Sequence, residues 1–119
     1  MAEPVSDSDG HRLREELGFQ RWEAIRHFLT EGDYLGLNQG DHRGAIAEYE
    51  KAWELLSTPW QREIGGADIL EGIADYACRS DDADLAREAL GDLRPRAARI
   101  ESVSLEAALE KLAQLEGQR

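Results

Sequence analysis

The stretch GDHRGAIAEYEKAWELL, residues 40–56, returns its apolar residues every three or four positions. At about 3.6 residues per turn, Ala45, Ile46, Tyr49, Ala52, Trp53 and Leu56 share one side of a helix. Glu48, Glu50, Lys51 and Glu54 fall elsewhere. A half-buried strand would need strict alternation, so this spacing selects the α-helix. The same period runs through most of the chain. β-branched residues are scarce while Ala, Leu, Glu and Arg dominate, and the fold class read from the sequence is all-α.

Turn chemistry cuts the pattern into elements. Residues 1–10 are polar and read as a flexible N-terminus, with Ser8 or Asp9 as the cap of the first helix. A helical region is expected from about His11 to Gln39. Its apolar face is Leu13, Leu17, Trp22, Ile25, Phe28, Leu29 and Leu35, and Gly18 and Gly32 are points where it bends or breaks. Gly40 suits a left-handed stop and Asp41 the next N-cap, which opens a second helix over about 42–57. The sharpest boundary is Thr58-Pro59-Trp60-Gln61. Thr58 can cap, Pro59 fits the first helical position, and Gln61 completes a capping box.

A third helix is expected from there to about Arg79, burying Ile64, Ala67, Leu70, Ile73, Ala74 and Ala77, with Gly65 and Gly66 weakening its first turns. Residues 80–84 form a turn and cap. The fourth helix covers about 83–93 through Leu85, Ala86, Ala89, Leu90 and Leu93, and Pro95 breaks the chain. A last helix near 104–116 buries Leu105, Ala108, Leu109, Leu112 and Leu115. Short linkers imply that successive helices pack as antiparallel hairpins.

Small and large residues recur in a fixed order. Leu70, Ile73, Ala74 and Ala77 are followed by Ala86-x3-Leu90 and Leu93; Phe28, Glu31, Gly32 and Leu35 are followed by Ala45-x3-Tyr49 and Ala52. This order resembles the tetratricopeptide repeat family, over residues 28–94. Ala45 and Ala86 stand 41 residues apart, and the excess over the usual period lies in LSTPWQRE. The resemblance implies a short α-solenoid within one domain, residues 11–119, with repeat hairpins at about 28–57 and 60–94. It also implies an N-terminal capping helix and a C-terminal one over about 102–116. That last helix could instead mediate a homodimer.

The formal net charge of −11 opposes nucleic acids and anionic lipid surfaces, and it favours a basic partner or simply solubility. No apolar run approaches the roughly 20 residues of a membrane span. The first ten residues lack the basic and greasy segments of a secretion signal, and a single cysteine, Cys78, fits a reducing compartment; the expected location is cytoplasmic.

Catalytic and metal motifs are weak. Asp7, Asp9, Gly10 and Glu16 sit at offsets of a calcium loop, but Val5 would occupy the first ligand position. Glu23, His27 and Glu31 line one helix face without a second histidine. Cys78 reads as a small packed side chain. Trp22, Trp53 and Trp60 read first as core residues, Trp60 being the one best placed for exposure. The reading is therefore a non-enzyme without cofactor or metal.

The feature that points to binding is the polar side of the third helix, where Asp68, Glu71 and Asp75 form an acidic stripe with Arg79 one turn on. In the family that the chain resembles, the first helix of each hairpin lines a concave groove that takes a partner segment. The resemblance would place Tyr34 and Asn38, from the preceding hairpin, beside that stripe. The function so implied is a protein–protein interaction module that binds a basic or mixed-charge segment. The alternatives are an immunity- or chaperone-like antagonist of a toxin or effector, a homo-oligomerising adaptor, and an enzyme fragment or regulatory module cut from a longer chain.

Overall fold

A computed structural model describes residues 7–117, and among these residues every regular element is helical. The first helix, α1 (Asp7–Asp33), is broken at Gly18, which adopts φ 77° and ψ 162°. A side chain is strained at such a positive φ, so glycine sets the bend. Residues 7–10 belong to the helix, which corrects the expectation of a loose start at this point and places Ser8 and Asp9 inside α1 rather than at its cap. Residues 1–6 of that expected flexible stretch lie outside the described residues. Leu13 and Leu17, on the segment before the break, are buried. A methyl group on Gly65 would come within 2.8 Å of Leu13, so this segment lies against the residues that come after Pro59.

At its far end α1 widens into a π-helical turn, Tyr34–Asn38. There the amide of Gln39 donates to the Tyr34 carbonyl at 3.3 Å and that of Asp41 donates to the Leu35 carbonyl at 2.8 Å. Gly40 takes the left-handed conformation, φ 68°, as its place before an N-cap implied. Asp41 caps α2 (His42–Glu54) by accepting from the Gly44 amide at 2.9 Å.

Thr58 caps α3 (Pro59–Gly65) through the Gln61 amide at 3.1 Å, with Pro59 in the first turn. The expected capping box closes one residue early. Gln61 is buried, and its side-chain oxygen accepts from the Ser57 amide at 2.8 Å and the Ser57 hydroxyl at 3.2 Å, not from Thr58. The long third helix is divided at Gly66 into α3 and α4 (Ala67–Arg79). A methyl group on Gly66 would lie 2.5 Å from the Trp53 ring, so the division seats backbone directly against the indole.

Asp82 caps α5 (Ala83–Ala97) by accepting from the amides of Asp84 and Leu85. Pro95 does not break the chain there; it lies inside the last turn of α5. The residue is exposed near the helix end, so its missing donor removes one hydrogen bond without burying an orphan group. The turn is held from outside, because Arg96 Nη1 donates to both carboxylate oxygens of Glu50 on α2, at 2.9 and 2.8 Å. The last helix, α6 (Val103–Gly117), starts where the Ser102 hydroxyl accepts from the Leu105 amide.

Helices α1 and α2 pack together, α2 packs on α4, and α4 touches both α5 and α6, which also pack on each other. The core runs through this chain of contacts. Leu56, Leu70, Ile73, Leu93, Leu105 and Leu112 are the largest fully buried side chains. Removing each such side chain from water contributes about 1.5–3 kcal/mol. Ala45, Ala52, Ala74, Ala77 and Ala86 have no exposed surface, and their small size lets the helix backbones approach closely.

Candidate functional site

Helix α4 is two-faced. Ile69, Leu70, Ile73, Ala74, Tyr76 and Ala77 are buried, and Asp68 and Asp75 are exposed. Asp68, Glu71, Asp75 and Cys78 line one wall of a groove of about 540 Å³, and the other wall is α6, through Ser104, Ala107 and Lys111. At a rise of about 1.5 Å per residue, the first and last carboxylates of the stripe are about 10 Å apart along the axis. The Ser104 hydroxyl donates to Glu71 at 2.9 Å and ties the two walls. Lys111 supplies a cation to the same lining. Arg79 folds back along its own helix, its Nε donating to Asp75 at 3.0 Å.

Burial pushes the Cys78 thiol up, the Asp75 carboxylate adds to the shift, and Lys111 acts weakly against both. The thiol therefore stays protonated near neutral pH and is a poor nucleophile. The lining thus combines a row of carboxylates with a protonated thiol and one lysine.

The acidic stripe predicted from sequence thus lies on one open groove, but its neighbour is α6. Tyr34 and Asn38 occupy the widened turn after α1 and are exposed; neither lines the α4–α6 groove. The Tyr34 hydroxyl accepts from the Gln39 side-chain amide at 3.1 Å. Trp60 is half-buried rather than open, and the Arg12 guanidinium lies 4.2 Å from its ring centre. Glu23 of the His27 stripe pairs with Arg26.

Sequence reasoning missed the cluster that orients α4. Asp33 Oδ1 accepts from the Tyr49 hydroxyl at 2.6 Å and from the Tyr76 hydroxyl at 2.5 Å, joining α1, α2 and α4 through one carboxylate. The two rings meet edge-on, 5.6 Å between centres. Glycines make room for them: a methyl group on Gly32 or Gly72 would strike Tyr49, and one on Gly36 would strike Tyr76. Burial first, and then the hydrogen bond to Asp33, push both tyrosine hydroxyls well above their usual range. The signal that could have found this cluster is the placement of Gly32 and Gly36 one helical turn apart on the helix before Tyr49.

Among the described residues, no helix is long and apolar enough to cross a membrane. Comparison with protein-family models, curated proteins and solved structures finds no match to this chain.

Proposed function

We propose that the chain is a non-catalytic, tetratricopeptide-like interaction module whose α4–α6 groove takes a basic or mixed-charge segment of another protein. One observation carries this reading: Asp68, Glu71 and Asp75 line a single open groove of a chain whose net charge is −11. Such a surface attracts a cationic segment over long range and orients it on arrival. Ala107 and Ala108 border the groove as small side chains and leave room for the partner's backbone. The packing of α1 on α2 and of α4 on α5, with fully buried alanines, supports the repeat-like reading.

The test is capture from native lysate with the wild-type chain and with the Asp68→Lys, Asp75→Lys double variant, then affinity measurement on any protein that wild type retains. Both aspartates are exposed on one side of α4, so the helical content read by circular dichroism should be kept, with a small fall in melting temperature as Asp75 gives up its ion pair with Arg79. Reversing two charges that face a cationic partner is expected to weaken binding by about tenfold or more at moderate salt. Equal affinity of the two proteins for a basic partner would remove the groove from the reading.

A further inference from the structure

The most concentrated positive charge of this acidic chain lies elsewhere. Arg94, Arg96 and Arg99 fall within six residues at the end of α5, and the last two line a cavity of about 380 Å³ with Arg62 of α3. Trp53, Pro59, Pro95 and Ile100 supply its apolar surface, and it shares no lining residue with the acidic groove. Its volume falls within the range of small-ligand pockets, roughly 300–1,000 Å³.

Two of the three guanidiniums are fixed before anything binds. Arg62 Nε donates to the Leu56 carbonyl at 2.7 Å, which leaves both of its terminal nitrogens unspent. Arg96 commits Nη1 to Glu50. Both guanidinium carbons lie near the Trp53 ring, at 5.1 and 5.5 Å from its centre, and Trp53 itself is buried against the Gly66 backbone. Arg99 makes no hydrogen bond or ion pair with another described residue. The fork of donors on such groups matches a carboxylate.

Glu54 and Glu63 also belong to the lining, and neither pairs with an arginine of the cavity. They repel an ion of high negative charge such as phosphate. A single carboxylate on an apolar body satisfies both halves of the lining: the guanidiniums take the charge, while the indole, the prolines and Ile100 take the body. We propose that this cavity is a binding site for a monoanionic carboxylate with an apolar or aromatic body, the chemistry shared by small organic acids and by the C-terminus of a peptide.

The probes are N-acetylphenylalaninate, its neutral amide, inorganic phosphate and a tetrapeptide ending in phenylalanine with a free carboxylate. Binding is read from two-dimensional nitrogen–proton spectra that resolve the Trp53 indole and the arginine Nε–H groups. The expected result is a saturable shift of the Trp53 and Arg99 signals by N-acetylphenylalaninate with a Kd at or below about 10 mM, and weaker or absent binding of the amide and phosphate. Arg99→Gln, which breaks no bond between described residues, should keep the wild-type spectrum elsewhere and weaken binding by about tenfold. Tighter binding of the tetrapeptide than of the acid would assign the site to a peptide terminus, and the reverse order to a free acid. No saturable shift with any probe, equal binding of acid and amide, or undiminished binding in Arg99→Gln would overturn the proposal.

Discussion

Asp33 shows how a single side chain can set the geometry of three helices. Its carboxylate oxygen accepts from two buried hydroxyls, so the negative charge that it carries is matched by two donors. Ionising either tyrosine would leave a charge in a poorly hydrated site, would cost the hydrogen bond to Asp33 and would set two negative charges side by side. This is why both hydroxyls titrate above their usual range. The folded state therefore holds these protons more tightly than the unfolded chain, whose tyrosines ionise near about pH 10. The contribution to stability is fully present below that value and is lost as pH rises through and above it, by up to about 1.4 kcal/mol per pH unit for each hydroxyl. Urea unfolding between pH 8 and 11 should accordingly show a steep alkaline fall in wild type. The fall should be shallower in the Tyr49→Phe, Tyr76→Phe double variant, even though that variant starts less stable. Parallel curves for the two proteins would mean that the hydroxyls are not linked to folding.

At the scale of the element, helix positions were legible where a local chemical rule was strong. Asp41 and Thr58 with Pro59 cap where the sequence predicted, and Asp82 caps within the predicted turn at 80–84, because a cap involves only three or four neighbouring residues. What failed was whatever a distant residue decides. The division at Gly66 lies against Trp53, thirteen positions earlier, and the turn of α5 beyond Pro95 is tied to Glu50 on another helix. The acidic stripe could be read from the spacing of Asp68, Glu71 and Asp75 alone, whereas its opposite wall could not, since α6 reaches it only after the chain has folded back. The Glu50 tie makes a prediction of its own. Arg96 is half-buried, makes an ion pair with both carboxylate oxygens and lies near the Trp53 ring. Arg96→Ala should let the end of α5 fray past Pro95. Amide hydrogen exchange is expected to speed up over residues 96–100 while protection at Leu70 and Ile73 falls only with global stability, a loss of about 1–3 kcal/mol. Unchanged exchange at the end of α5 would show that the turn persists without its tie.

For the molecule as a whole, the charge distribution matters more than its sum. The surface is acidic along α4 and carries clustered arginines where α5 ends, so the same salt should act on folding and on binding in opposite directions. In the free protein, 25 acidic side chains against 14 basic ones produce net repulsion that favours expansion. Ion pairs such as Arg43 with Glu88 are more than half exposed and contribute little to offset it. Raising ionic strength from about 0.01 M to about 0.15 M shortens the screening length from about 30 Å to about 8 Å. Repulsion summed over the whole surface is weakened, while the buried core is untouched. The melting temperature of the free chain is therefore expected to rise by a few degrees over that range. If the proposed basic segment takes the α4–α6 groove, its affinity should fall over the same range, chiefly through slower association. Differential scanning fluorimetry and stopped-flow binding on one salt series read both effects. If affinity held constant while the melting temperature rose, the acidic row would govern the stability of the free chain and not its partner.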